Sequence, residues 1–316
     1  MKPGARLTLI IVIIVVAVII LTLPFLPGAY YILQPGRSTP PQQLTGPPFI
    51  ATIPPVAAIL REVVGDRGDV ISLLQPGESP HTYEPRPGSM AMVEHARGLF
   101  YVDDAMDGWV ATFGGVRKFP LFDMVPESIR LEMTAGHSHG NDEHSDTDDP
   151  HFWTSPQVVK AILPSLVQAL TELDPEGAEI FQSNADGFAA DLDLLDEEIT
   201  RMLSPYEGES LIMFHPSFGY FTEAYNLEVA GLIEPSPGQE PSPRHIIDLA
   251  HIAGELDVKA IFTEPQLPEA PARTLAEETG LPLYTLDPLG GIDGRQTYSE
   301  LIMYNAEVIS RALGGE

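Results

Sequence analysis

Asp149-Pro150-His151-Phe152-Trp153-Thr154-Ser155-Pro156 places a histidine among bulky apolar residues, just after a polar run that is dotted with histidines. A single histidine in such a setting is more often a packed, hydrogen-bonded residue than a metal ligand. Three distant segments, however, also place a metal-type side chain where a strand is predicted to end or a turn to begin, and these side chains are His81, His215 and Asp287. Three imidazoles and one carboxylate suit a tetrahedral Zn²⁺ site. Our working hypothesis is therefore a zinc site made by His81, His151, His215 and Asp287.

Composition narrows the classes of function. The 316 residues are enough for two ordinary domains. The formal charge of -28, from 45 acidic and 17 basic residues, argues against a nucleic-acid partner, which needs clustered lysine and arginine. The chain has no cysteine, so disulfides, thiolate metal ligands and a bacterial cysteine lipid anchor are excluded.

The N-terminal segment predicts an attachment to the membrane. Residues 7–26 are almost wholly apolar and follow Lys2 and Arg6. About 20 such residues can cross a bilayer as a helix, and the basic flank predicts that the rest of the chain lies outside the cytoplasm. A cleaved signal peptide is the alternative, but the run is long for one and has no clear A-x-A site. We expect an anchor or signal over residues 1–27 and a Pro/Gly-rich tether over residues 28–48.

Alternating strand and helix patterns predict an α/β protein with two lobes. Short apolar runs alternate with amphipathic helices from residue 49, which is typical of βα units and mainly parallel sheets. Within the helix predicted over residues 157–173, Pro164 is expected to introduce a kink or a break. We expect an N-terminal lobe over residues 49–173, a linking helix over residues 174–204 and a C-terminal lobe over residues 205–316.

The linking helix is predicted from apolar residues spaced three or four apart between residues 178 and 202. Asp174 and Pro175 supply the pattern of an N-cap followed by a proline at the first helical position. At 1.5 Å per residue such a helix spans about 40 Å, more than one small lobe needs. A coiled-coil dimerisation helix is the alternative, but βα units resume directly afterwards. We therefore expect a rigid interlobe helix in a monomer, with the metal site in the cleft between the lobes, beyond the carboxyl ends of their strands.

The segment that precedes His151 is long for a loop and carries His137, His139 and His144 among acidic residues. A disordered acidic loop and a weak, additional metal-capture site are both open interpretations. Irregular spacing in such a run predicts a loose site rather than a tetrahedral one.

Other residues are expected to support the metal site or to lie away from it. Trp153 and Tyr220 are expected to wall the metal site. Glu84 and Glu264 are candidates for outer carboxylates that hold the ligands, with an ordinary surface role as the alternative. The remaining histidines lie in helical patterns and are expected to be surface or packing residues: His95, His245 and His251.

Four motifs follow one another along the chain: Pro80-His81-Thr82-Tyr83-Glu84-Pro85, Asp149-Pro150-His151-Phe152-Trp153, Phe214-His215 with Gly219-Tyr220-Phe221, and Leu286-Asp287-Pro288-Leu289. In this order they resemble the motifs of the metal-binding solute-binding proteins of ABC-type zinc and manganese transporters, the cluster (A-I) with a rigid interlobe helix. The resemblance covers the chain from about residue 49 onward. It implies two α/β lobes, a metal between them, no catalytic role, and delivery of the metal to an ABC-type permease in the membrane.

In that family a histidine at the third ligand position goes with zinc and a glutamate with manganese or iron. His215 therefore implies Zn²⁺, with Mn²⁺ as the second candidate. The chain departs from the family pattern in two ways. It lacks the second-lobe disulfide that some zinc-binding members have, and it lacks the cysteine of a lipoprotein anchor.

Two rival functions stay open at this point. A secreted zinc hydrolase would keep an open water position beside a general base, and Glu264 could be that base if Asp287 were not a ligand. The sequence contains neither a His-Glu-x-x-His helix nor a nucleophile elbow. A surface adhesin with an incidental metal site is the other rival.

Overall fold

Two four-stranded parallel sheets form the framework of the computed structural model, which describes residues 46–133, 148–236 and 238–315. The strands of the first sheet are β1 (Phe49–Ala51), β2 (Val70–Ser72), β3 (Gly98–Tyr101) and β4 (Lys118–Pro120). Those of the second are β5 (Ser210–Met213), β6 (Glu228–Leu232), β7 (Ile261–Thr263) and β8 (Leu283–Thr285). The strand orders are β2-β1-β3-β4 and β6-β5-β7-β8, so both sheets have the same topology. Each sheet belongs to one lobe.

Helices connect the strands and cover the sheets. In the first lobe they are α1 (Pro54–Val64), α2 (Pro87–Glu94), α3 (Asp104–Asp107) and α4 (Pro156–Leu173), and the long helix α5 is Ala178–Leu203. In the second lobe they are α6 (Gly219–Ala224), α7 (Pro243–Glu255), α8 (Ala270–Thr279) and α9 (Tyr298–Gly314). The predicted architecture, two parallel βα lobes with a long interlobe helix, is confirmed.

Helix α5 ties the lobes together. Its buried face is built from residues three or four apart: Phe181, Ala185, Phe188, Leu192, Leu195, Ile199 and Leu203. That face packs against α1 and α4 of the first lobe and against α9 of the second. Because the chain itself covers this apolar stripe, the stripe is not available for the alternative coiled-coil dimer. Its 26 residues span about 39 Å.

Three local features were not fully anticipated from the sequence. Of the kink or break expected at Pro164, the break is absent: helix α4 continues through this residue, which lies on the exposed face, where water can satisfy the carbonyl that the proline leaves unpaired. Asp174 does not cap a helix with its side chain, because its carboxylate accepts from Arg67 at 2.7 Å and from Arg97 at 3.2 Å. Strand β4 was not predicted, since its lysine and proline are edge-strand residues that obscure the apolar pattern.

The topology creates two switch points. In each sheet the strand order reverses in the middle, between β1 and β3 and between β5 and β7. Ligands of open α/β sheets bind outside the carboxyl ends of the strands at such points. His215 lies two residues beyond β5, and Glu264 directly follows β7. The second lobe therefore brings a histidine and a carboxylate together at its switch point.

Some predictions fall outside the described residues: the anchor over residues 1–27, most of the tether over residues 28–48, and the three loop histidines His137, His139 and His144. Within the ranges that are described, no helix is long and apolar enough to span a membrane.

Candidate metal centre

Three predicted ligands converge between the lobes. His81 lies in the 3₁₀ turn Pro80–Thr82 after β2, and His151 immediately precedes the 3₁₀ turn Phe152–Thr154. One ligand nitrogen from each of His81, His151 and His215 lies within 4.8 Å of the other two. The ring centroids are 6.0, 5.9 and 5.4 Å apart. Nitrogens on one tetrahedral zinc lie about 3.4 Å apart, given bonds of about 2.0–2.1 Å, so a small contraction brings these three onto a single ion.

Two buried carboxylates orient two of the imidazoles. His151 Nδ1 lies 2.7 Å from Asp149 Oδ1, and His215 Nδ1 lies 2.6 Å from Glu264 Oε1. Ionised carboxylates only accept hydrogen bonds, so each Nδ1 is the donor and each Nε2 keeps its lone pair. His151 Nε2 is buried and has no hydrogen-bond partner. Such carboxylate–histidine pairs fix the ring orientation and raise the basicity of the nitrogen that faces the metal.

His81 is prepared for a cation in a different way. Burial, together with smaller contributions from the neighbouring imidazoles of His151 and His215, lowers the pKa of His81 to about 3. The ring is therefore neutral at pH 7 and can offer a lone pair without losing a proton. Its turn is held by Trp109, whose indole N–H donates to Pro80 O at 3.1 Å.

The cavity at this site is small and mostly apolar. Its volume is about 20 Å³, room for one water-sized particle. Besides the imidazoles, Met106, Trp153, Pro288 and Leu289 contribute to its wall. The indole of Trp153 packs 5.3 Å from the His151 ring, and its N–H donates to Pro288 O at 2.8 Å across the lobe boundary. Trp153 therefore lines the cavity, as predicted.

Asp287, the fourth predicted ligand, lies next to this cavity but not in the cluster of ligand atoms, which is made of the three histidines. It is 2% exposed. Its Oδ1 accepts from Gln266 Nε2 at 2.9 Å and from the amides of Leu289 and Gly290 at 3.1 and 3.0 Å. Its Oδ2 accepts from Arg295 Nη1 at 2.9 Å. The structure thus joins three of the four predicted ligands and places the fourth in a hydrogen-bonded cage beside them.

The secondary predictions have mixed outcomes. Glu264 is an outer carboxylate, bonded to His215, whereas Glu84 lines a separate polar pocket. Tyr220 is not part of the cavity wall, and its hydroxyl accepts from the Leu131 amide at 3.0 Å. His245 is a packing residue that donates from Nε2 to Leu232 O at 2.7 Å.

Sequence reasoning missed the roles of Asp149, Gln266 and Arg295. Asp149 could have been found, because the spacing Asp149-Pro150-His151 puts a carboxylate two residues before a ligand. Gln266 and Arg295 are 21 and 8 residues from Asp287, and no local pattern connects them to it.

Comparison with known proteins identifies a family and relatives to which this chain is similar. The family model described as ZnuA, the periplasmic component A of the zinc-uptake complex, matches residues 50–312. The zinc-binding protein AdcA of Streptococcus pyogenes serotype M1 is 28% identical over 281 residues, which cover 82% of this chain and 55% of AdcA. The chain thus matches about half the length of that curated relative.

Solved structures agree with the family model. A crystal structure of ZnuA has a TM-score of 0.73 at 28% identity and covers 85% of this chain and 99% of that one. A zinc-bound deletion mutant of ZnuA has a TM-score of 0.72 at 29% identity, with coverage of 84% and 98%.

Proposed function

Because the chain belongs to the family of periplasmic zinc-uptake components, we propose that it captures Zn²⁺ outside the cytoplasm and delivers it to an ABC-type importer. The observation that carries this proposal is the convergence of His81, His151 and His215 on one small buried cavity. In this role Zn²⁺ is the cargo of the protein and not a resident cofactor.

The donor set favours zinc over manganese. Imidazole nitrogens suit borderline-soft Zn²⁺, whereas Mn²⁺ prefers oxygen ligands and a higher coordination number. Two of the three imidazoles are polarised by carboxylates, and the third is neutral at pH 7. Mn²⁺ is therefore a weaker second cargo.

The size of the cavity argues for binding rather than catalysis. A site that holds an organic substrate is typically about 300–1,000 Å³ in volume, whereas this cavity has about 20 Å³. An ion fills that space, and a peptide or ester does not fit beside it. The rival zinc hydrolase loses its support on this point, although Glu264 lies close enough to have been its base.

Delivery requires a partner in the membrane, and we place the protein next to it. The apolar residues 7–26 with Lys2 and Arg6 support an N-terminal anchor, and the Pro/Gly-rich residues 28–48 support a tether. In this proposal a monomer anchored on the extracytoplasmic face of the cell membrane transfers Zn²⁺ to the permease.

Zinc titration of the full chain in mild detergent tests the proposal. We expect one tight Zn²⁺ per chain and a loss of about 100-fold or more for His151→Ala, since a total of about 10–16 kcal/mol is shared by three protein ligands. The matched control is His251→Ala, on the exposed face of α7, which should bind like the wild type. Full affinity in His151→Ala would overturn the assignment.

A further inference from the structure

We infer that Arg295 and Gln266 hold the Asp287 carboxylate outside the coordination sphere of the bound metal, and that Arg295 thereby sets metal affinity. The inference rests on the proposed zinc-binding function. It makes Arg295 a positioning residue and leaves the protein with three imidazole ligands.

Both oxygens of the Asp287 carboxylate have hydrogen-bond donors. Oδ1 accepts from the Gln266 amide and from two backbone N–H groups, which fills its share of the roughly four lone-pair positions of a carboxylate, and Oδ2 accepts from the Arg295 guanidinium. Only Oδ2 keeps a lone-pair position for a metal, and Arg295 holds that oxygen outside the cluster of imidazole nitrogens. The bond from Arg295 is charge-assisted and therefore among the stronger ones.

The backbone of Asp287 is clamped as well. Its N–H donates to Asn305 Oδ1, and its C=O accepts from Asn305 Nδ2, both at 2.8 Å. Asn305 is 1% exposed, so helix α9 fixes both sides of this peptide. The carboxylate cannot reach the imidazoles by a shift of its own backbone.

Arg295 is itself held in place. Its guanidinium lies 4.2 Å from the centre of the Tyr304 ring, a cation–π contact. Its backbone carbonyl accepts from Gly291 at 2.9 Å, and its N–H donates to Ile292 O at 2.9 Å. Gly290 has φ +62°, and a Cβ there would lie 2.7 Å from Arg295 O. This turn therefore needs a glycine to bring the arginine onto Asp287.

A second carboxylate at the cavity shows the contrast. Glu264 contributes to the cavity wall, and its Oε2 is buried without a hydrogen-bond partner. Gln266 also contributes to the wall. Its NH₂ must point at Asp287, because the carboxylate only accepts, and its Oε1 is then buried without a partner. The buried carboxylate and amide oxygens at the cavity that have no hydrogen-bond partner thus belong to Glu264 and Gln266, whereas both oxygens of Asp287 have donors.

The test compares Arg295→Met, Asp287→Asn and the double variant in the full chain. Zinc affinity is measured by chelator competition, and Co²⁺ serves as the probe whose ligand-field absorption reports the ligand set. We expect Asp287→Asn alone to change the zinc Kd by less than about threefold. Arg295→Met should tighten it by about tenfold or more, because the released carboxylate can become a fourth ligand; the size is that of a typical outer-partner effect, with the opposite sign. The Co²⁺ spectrum should change with it. The double variant should show neither effect, and Arg295→Lys should restore most of the wild-type behaviour.

Two results would overturn the inference. One is a loss of roughly 100-fold in Asp287→Asn, the effect of removing a ligand. The other is an Arg295→Met variant with unchanged affinity and spectrum. If Arg295→Met does not fold, the Asp287→Asn measurement still decides. Failure of the proposed function looks different, because His151→Ala would then bind zinc as the wild type does.

Discussion

Glu264→Gln is the substitution for which the structure gives the sharpest expectation. Glu264 Oε1 accepts from His215 Nδ1 at 2.6 Å and from Ser217 Oγ at 2.9 Å, and both the glutamate and the histidine are nearly fully buried. Glutamine keeps one oxygen acceptor but removes the charge. It also places an NH₂ group where the carboxylate has Oε2, beside the cavity, and this donor would face a cation.

The expected cost combines these losses. A hydrogen bond to a charged group contributes about 1.5–3 kcal/mol and a neutral one about 0.5–1.5 kcal/mol, so the lost charge alone corresponds to about 1–1.5 kcal/mol. That is roughly tenfold in Kd. The misplaced NH₂ adds to it, which brings the total into the range of about 10–100-fold that is typical for outer partners of a metal ligand.

Competition with a chelator of known affinity measures the change in zinc Kd, and a thermal melt of the metal-free protein checks the fold. The matched control is Glu277→Gln on the exposed face of α8, which should leave the Kd unchanged. A folded Glu264→Gln protein with wild-type zinc affinity would refute the view that this carboxylate tunes His215.

Three further predictions follow from the site and the sequence. His215→Glu should weaken zinc binding and narrow the preference for Zn²⁺ over Mn²⁺ without reversing it, because manganese is lowest in the divalent affinity series. Paired Zn²⁺ and Mn²⁺ titrations measure the ratio of the two Kd values, and an unchanged ratio would contradict the prediction. Deleting residues 136–147 should leave the tight site intact and remove only weaker, additional zinc, as seen in binding stoichiometry; a large loss at the tight site would show that the loop supplies a main ligand. For the metal-free protein, the His81 pKa of about 3 lies below its ordinary 6.5, so the unfolded chain binds more protons and stability falls as pH drops from 6.5 towards 3. The loss in the free energy of unfolding is about 2 kcal/mol at pH 5. In denaturant melts, the stability of His81→Gln should therefore depend less steeply on pH than that of the wild type.

Much of the site could be predicted because its imidazoles follow strands or begin turns. The carboxyl ends of parallel strands meet at one edge of a sheet, so His81 and His215 were expected near a cleft, and the long helix was evident from its regular apolar spacing. The pairing of His215 with Glu264 was harder to foresee, since it depends on β5 and β7 being neighbours although 49 residues separate the two side chains.

The position of Asp287 shows what local patterns leave out. Its motif, Leu286-Asp287-Pro288-Leu289, correctly places a carboxylate just beyond a strand. The competing partners come from two loops: Gln266 lies just beyond β7, and Arg295 lies just before α9 and stacks on Tyr304 of that helix. A ligand can be proposed from its spacing along the chain, but its competitors are visible only in three dimensions.

The placement of the tryptophans has a practical consequence. The chain contains two of them, and each touches the segment of a different ligand: Trp153 packs on the His151 ring, and Trp109 bonds to the carbonyl just before His81. Movement of either imidazole on metal binding changes the surroundings of one indole. The intrinsic fluorescence of the unlabelled protein therefore reports occupancy of the metal centre, with no emission from distant indoles to dilute the signal, and it can follow the capture and transfer of the ion in real time.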